Sequence, residues 1–409
     1  MAPRSDTGGP AVTVRPDDVV AFRLNAHHLT ARRPPEDLHQ VVGACGIQNS
    51  PPGSALLALH ARVEGVTGEL VDHLVSEERS VLQSWSVRGA PFFFPTADAQ
   101  VFTAGVLPAT EEAGLHLISG VEQALDTLGL GLDDTVALVA DEIATVLSGR
   151  QLAINELGKE LAERIAPTLT PKRREKWLSD GPYGTHQPLG EAVVHFCLRI
   201  LTLRGIVCLA PRSGNKAPFV LVEEWLGRPL PPVDADSARA DLLRRYLHCY
   251  GPSTRKDFAA WLGVHTGDVE PWWATLADEL IHVDVDGRAA WMRAGDLDAV
   301  RSPPPAAGVR LLPPHDPYLQ MRDRDLIVDK KRHARVWKTV GDPGAVLADG
   351  RIVGTWRPRK RGRTLTLTFD AFAPLSAAVR EQLRVEAEQV AVLRGASTAQ
   401  IEFADAAGR

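Results

Sequence analysis

Between residues 18 and 105 apolar positions recur at three- and four-residue spacing in three consecutive runs. VVAFRLNAHHL, PPEDLHQVVGACGIQ and SALLALHARVEGV each fit one face of a helix, so three helices in succession are expected. A fourth run, GELVDHLVSEE, precedes SVLQSWSVRGAPFFFPTADAQVF, in which the basic turn Arg88-Gly89 separates two short β-prone runs. Three helices followed by a small hairpin are the parts of a winged helix. The same order returns twice. ALVADEIATVLSG, QLAINELGKELAERI and GEAVVHFCLRILTLRG precede the strand pair IVCLAP and APFVLVEE, with Gly214-Asn215 as turn chemistry between them. ARADLLRRYLHCYG, STRKDFAAWLGV and VEPWWATLADELIHV precede IHVDV and AAWMR around Asp286-Gly287.

The Pro-rich breaks RPLPPVDADS and RSPPPAAG punctuate these copies, and from residue 309 the pattern turns β-rich. VRLLPPHDPYL, DLIVD, ARVWKTV, AVLAD, RIVGTW and TLTLTF are followed by one helical run, LSAAVREQLRVEAEQVAVLRG, and a final strand, AQIEF. The expected fold class is α+β, with three tandem winged-helix units over 18–108, 109–232 and 233–304. A C-terminal β-rich, barrel-like domain is expected over 305–409, and a flexible leader over 1–17. That leader lacks the apolar stretch of a secretory signal, and no apolar run reaches bilayer-spanning length. A cytoplasmic protein is the expectation.

The 409 residues exceed one ordinary domain, and 24% charged with 44% hydrophobic residues is an ordinary globular balance. Cys45, Cys197, Cys208 and Cys249 are scattered without a C-x-x-C pair, which predicts buried free thiols rather than a disulfide framework or zinc site. The net charge of -5 does not advertise nucleic-acid binding, but residues 322–363 hold thirteen Lys and Arg against five Asp. Phosphate responds to such local clusters rather than to the total. Within this stretch RPRKRGR sets five cations in seven positions at a hairpin, relaxed by Gly362. Arg357, Arg359, Lys360, Arg361 and Arg363 are therefore candidate DNA contacts, as is Arg88 in the first hairpin. The bland alternative is a hairpin kept soluble by its charge. Ser253, Thr254, Arg255 and Lys256 open a helix that suits either phosphate or ordinary capping. Phe92, Phe93, Phe94, Trp272, Trp273 and Trp356 read as core.

Four stretches in order, GIQNSPPGSALLALHARVEG, WSVRGAPFFF, LLPPHDPYLQMRDR and DGRIVGTWRPRKRG, carry a family likeness. Over most of residues 18–395 the chain resembles the winged-helix DNA glycosylases of the AlkZ and YcaQ type. The resemblance implies three winged helices around a basic channel and hydrolysis of N-glycosidic bonds at alkylated purines. It also implies the unhooking of interstrand crosslinks, in repair or in self-resistance to a DNA-alkylating antibiotic. The family's catalytic signature is Gln, an aliphatic residue, then Gln or Asp; here that place reads Gln48-Asn49-Ser50. Gln48 matches and the other two depart. Three outcomes stay open: Asn49 takes over part of the role, the pocket is reshaped for a bulkier adduct, or activity is lost.

The chemistry is undemanding in one respect. A purine alkylated at N7 or N3 is cationic and departs neutral, so the protein must place a water near C1′ and stabilise an oxocarbenium-like sugar. Gln48 is the first candidate for orienting that water, with Asn49 or Ser50 assisting. The resemblance puts an acidic residue at Asp316, where it could stabilise the developing positive charge. No lysine nucleophile is suggested, so lyase chemistry is not expected. On the residues alone, Gln-Asn-Ser-Pro-Pro-Gly reads first as a capping loop between helices, and Asp316 equally as the cap of a Pro-flanked turn. The expectation is a monomeric glycosylase on double-stranded DNA carrying alkylated bases, with no metal, organic cofactor, membrane or obligate protein partner. The alternative is a noncatalytic winged-helix regulator or lesion-binding factor, although neither dimerisation heptads nor a strongly basic recognition helix is present. No glycine-rich phosphate loop supports a small-molecule enzyme.

Overall fold

The computed structural model describes residues 12–404 apart from Thr185, Ser213 and Asn215. The first eleven residues of the expected leader and the Asn215 half of the Gly214-Asn215 turn therefore lie outside the described residues. The chain forms two compact units. The first comprises Met1–Gly68, Leu243–Phe258 and Leu276–Arg409, and the second comprises Glu69–Leu242 and Ala259–Thr275.

The first unit opens with β1 (Val12–Val14), which pairs in parallel with residues 283–285 although it falls in the stretch expected as leader. Helix α1 (Pro16–Ala26) starts where proline at its first position and Asp17 and Asp18 in its first turn suit the backbone N–H groups exposed there. Arg15 fixes that start by pairing with Asp18 at 2.6 Å. Helix α2 (Leu38–Gly43), the short strand β2 (Ile47–Gln48) and helix α3 (Ser54–His60) follow.

In the second unit β3 (Val81–Trp85) and β4 (Pro91–Pro95) form an antiparallel hairpin whose turn holds Arg88 and Gly89 at positive φ. Phe92, Phe93 and Phe94 are buried, as the apolar run predicts. Helices Leu132–Leu147, Ile154–Ile165 and Leu189–Leu203 supply one apolar core. Val136, Val139, Ile143 and Val146 line one stripe of the first helix, and Leu157, Leu161 and Ile165 line one stripe of the second. Trp177 closes this core and donates to the Ala162 carbonyl at 2.9 Å. Its ring lies so close to Gly190 that a Cβ there would come within 2.2 Å of it. The short pair β5 (Val207–Leu209) and β6 (Phe219–Leu221) completes the packing. Trp272 and Trp273 are buried in the same unit.

The chain then returns to the first unit. Strands β7 (Leu280–Val285) and β8 (Arg288–Arg293) are joined by Asp286-Gly287, with φ of 53° and 81°, the two left-handed residues that a tight hairpin turn needs. Strands β9 (Val309–Leu312), β10 (Gly344–Ala348), β11 (Arg351–Arg361) and β12 (Thr364–Ala371) follow as an antiparallel meander. Helix Ala377–Leu393 then crosses one face, and β13 (Thr398–Phe403) adds in parallel beside β12. On β12 Leu365, Leu367 and Phe369 are buried while Thr364, Thr366 and Thr368 are not, so only one face is apolar. Leu383, Ala387, Val390 and Ala391 of the helix cover that face. Each large side chain buried there contributes about 1.5–3 kcal/mol.

This sheet corrects the expectation of a barrel-like domain. Its order is β13-β12-β11-β10-β9, with β9 and β13 at opposite edges. The sheet stays open and does not curl, because a helix rather than a second run of strands covers its apolar face. The fold is α+β with mixed and antiparallel sheets. No helix among the described residues is long and apolar enough to cross a membrane.

Candidate active site and nucleic-acid surface

Gln48 ends strand β2 and is 9% exposed, next to Asn49 at 8%. The local chain explains why these residues sit together. Helix α3 begins after Gly53, held at φ +84°, and its first amide groups lack intrahelical partners. The Asn49 Oδ1 accepts from Gly53 N at 3.0 Å and from Ala55 N at 3.4 Å, which caps the helix. Ser54 Oγ donates to the carbonyls of Pro51 at 2.6 Å and Gln48 at 3.4 Å. The loop is thus tied back onto the Gln48 backbone. Ser50 is half-buried, and its hydroxyl makes no hydrogen bond with the described residues.

Asp316 lies elsewhere in the bonding of the first unit. It is 1% exposed, and both of its oxygens accept from Arg62, at 2.7 and 2.8 Å. Oδ1 also caps Tyr318 N at 3.0 Å. Arg62 is itself buried and donates further to the carbonyls of His27 at 2.9 Å and Ala58 at 2.8 Å. Burial opposes the Arg62 charge, but Asp316 outweighs it and raises the guanidinium above its ordinary value. A carboxylate committed in this way cannot turn to a substrate without leaving a buried arginine unpaired, a cost of about 3–5 kcal/mol. The arrangement makes Asp316 a support for the end of α1 and for α3. Arg62 is the partner of Asp316 that sequence reasoning missed, and its one signal was a lone Arg inside the apolar run ALLALHARV.

The basic hairpin divides its cations between two faces. Arg357, Arg359 and Arg361 are exposed and pair across the strands with Thr368, Thr366 and Thr364, on the face away from the covering helix. Arg357 donates to the Gly341 carbonyl at 2.7 Å. Lys360 pairs with Leu365 on the opposite face and donates to the Arg394 carbonyl at 2.9 Å. That carbonyl ends helix Ala377–Leu393, where a cation is favoured. Arg363 sits in the turn and donates to Ser397 Oγ at 3.2 Å. Trp356 is core, with its ring nitrogen donating to the Leu312 carbonyl at 2.8 Å.

Arg88 in the second unit donates to the Trp261 carbonyl and packs against Gly263. Part of its donor capacity therefore serves its own fold. Thr254 Oγ1 accepts from Asp257 N at 3.1 Å, and Ser253 Oγ meets the Tyr246 hydroxyl at 2.8 Å, so ordinary capping and packing occupy both hydroxyls.

The chain belongs to the DNA glycosylase AlkZ-like family, whose pattern matches residues 41–393. A relative, the interstrand DNA cross-link repair glycosylase of Streptomyces sahachiroi, is 26% identical over 346 residues, 83% of this chain and 86% of that protein. The solved structure of Streptomyces sahachiroi DNA glycosylase AlkZ matches with a TM-score of 0.73, covering 96% of this chain and 100% of that one. At 23% identity that likeness speaks for the fold alone.

Proposed function

We propose that this protein is a monofunctional DNA glycosylase that removes alkylated purines from duplex DNA, in repair or in self-resistance to an alkylating natural product. Membership of a DNA glycosylase family over residues 41–393 carries the reading, and the likeness of Gln48-Asn49-Ser50 to the family's signature supports Gln48 as its first catalytic residue. The substrates in view are N7-alkylguanine and N3-alkyladenine, including bulky and crosslinking adducts. The Streptomyces sahachiroi relative, a cross-link repair glycosylase, supports the crosslink end of that range.

In this reading the bond from C1′ to the base nitrogen breaks with its electron pair going to the base, which leaves neutral. A water oxygen bonds to C1′ and its proton passes to solvent. Gln48 orients that water through its amide. Asn49 holds the loop by capping α3, and Ser50 is a shorter side chain than the one the family carries at that place. Asp316 acts as a positioning residue through Arg62. Arg357, Arg359, Arg361 and Arg363 contact phosphates, while Arg88 and Lys360 contribute less, because their donors also hold the fold.

Two of the expected polar groups, Asn49 and Asp316, are committed to backbone and ion-pair bonds. That observation favours a second reading, a noncatalytic lesion-binding protein. Abasic-site formation separates the two. Duplex DNA treated with alkylators from simple methylating agents to bulky intercalating products should gain alkali-labile sites only when the protein is present. Gln48→Ala should lower the rate about 10²–10³-fold with DNA affinity nearly intact. Silence across the panel with DNA binding retained establishes the noncatalytic reading.

A further inference from the structure

Two pairs of cysteines differ sharply in their surroundings. Cys197 and Cys208 lie in the second unit, the former within its apolar core, and burial pushes both thiols up to about 12. Cys45 and Cys249 meet in the first unit, at His27. The Cys45 Sγ is 3.9 Å from His27 Nδ1, and the three donor atoms lie within 4.8 Å of one another. They come from three separate stretches of chain. His27 ends α1, Cys45 stands just before β2, and Cys249 belongs to helix Ala235–Tyr250. Their exposures are 1%, 5% and 0%. Around them, the Ala44 and Ala26 carbonyls lie 3.5 and 3.9 Å from Cys249 Sγ, and the Tyr250 hydroxyl is committed to the Pro317 carbonyl at 2.9 Å.

We propose that His27, Cys45 and Cys249 bind one zinc ion. Tetrahedral zinc, with bonds of about 2.0–2.1 Å to nitrogen and 2.3 Å to sulfur, holds its donors roughly 3.5–3.8 Å apart, so movements of about an ångström close the set. Charge points to the same ion. A divalent cation with two thiolates and a neutral imidazole has no net charge, the form a buried site tolerates. Binding releases the two thiol protons to solvent and changes no oxidation state. Thiolate and imidazole donors select zinc over magnesium or calcium, which require oxygen ligands. The fourth position falls to a backbone carbonyl, for which Ala44 is nearest to Cys249. The ion fastens the segment leading into Gln48 to helix Ala235–Tyr250.

The test uses the full chain, reduced, stripped with a chelator and titrated with zinc, with metal content read by elemental analysis. One zinc per chain, a higher Tm on zinc addition and a sulfur-to-metal charge-transfer band after cobalt(II) substitution are expected. Cys45→Ser and Cys249→Ser should each weaken that band, while Cys197→Ser, in the apolar core, should keep it. Wild-type protein that binds no zinc and shows no such band overturns the proposal, whatever the folding of the serine variants. A Cys45–Cys249 disulfide that persists under reductant overturns it equally, because oxidised sulfurs cannot ligate.

Discussion

The two units bury different things. Among the described residues, the first unit buries Arg23, Arg62, Asp296, Asp316 and Glu386, whereas Arg239 is the one Asp, Glu, Lys or Arg side chain buried in the second. The charges of the first unit are paired over long stretches of chain. Arg23 meets Asp323 at 2.8 Å, Arg32 meets Glu386 at 2.7 Å and Arg62 meets Asp316 at 2.7 Å. The second unit relies on apolar stripes and on the buried rings of Trp177, Trp261, Trp272 and Trp273. Apolar packing tolerates exchange of similar shapes, whereas a buried ion pair accepts only its own partner in its own geometry. The first unit, which holds Gln48, is thus the one whose arrangement is specified by pairing.

The largest test of that contrast is Arg62→Ala, which should cost about 3–5 kcal/mol in urea melts by leaving Asp316 charged and unpaired. A loss under about 1 kcal/mol would remove the pair from the argument. Next, Leu161→Ala in the second unit should cost about 2–5 kcal/mol, but Leu161→Met less than about 1.5. A conservative exchange as damaging as the truncation would mean that the second core is no more permissive than the first.

Acid should separate the units further. Burial pushes His28 and His60 of the first unit down to about 4, from an ordinary 6.5. The unfolded chain therefore takes up protons that the folded unit refuses, so the stability they contribute is full above pH 6.5 and is lost as pH falls toward 4. His60 faces Arg32, Arg310 and Glu386, so His60→Gln should flatten the slope without removing those partners. In the second unit burial also lowers His195. Hydrogen exchange corrected for intrinsic rate should show the first unit losing protection earlier, and a uniform loss would contradict the contrast.

Smaller effects sharpen the site. Asn49→Ala should cost about 1 kcal/mol as a lost cap. If base release falls far beyond what that loss explains, the Asn49 side chain touches substrate. Neutralising Arg357, Arg359 and Arg361 should leave stability nearly unchanged and lower the salt slope of DNA binding by about 0.9 for each phosphate no longer neutralised. Lys360→Ala should do the reverse, costing about 0.3–1 kcal/mol of stability with little change in slope.

Local chemistry was legible in advance where neighbours in sequence decide it. Asp286-Gly287 turned the chain as its residue types demand, and Phe94, Trp272 and Trp356 are buried as their apolar contexts indicate. The reading of Gln-Asn-Ser-Pro-Pro-Gly as a capping loop describes what Asn49 does, whatever Gln48 does besides. Closure of the C-terminal sheet was not legible, since it depends on whether the first and last strands meet. A helical run before AQIEF did not disclose which face it would cover. The Arg62–Asp316 pair was hidden for a plainer reason: the partners are 254 residues apart. The Pro-rich breaks gave no sign that residues 243–258 rejoin the first unit.

The parallel strand β13 sets the order in which the protein can be made. Its partner β12 and the covering helix wait for residues up to 403, while α1 and α3, also of the first unit, leave the ribosome well before them. The main segment of the second unit, Glu69–Leu242, is continuous and is completed by Ala259–Thr275 well before β13 is made. At roughly 5–20 residues per second, the earliest apolar helices remain without their final neighbours for tens of seconds. Newborn chains of this protein therefore pass through a long interval in which chaperones have something to hold, and loss of β13 harms helices made long before it.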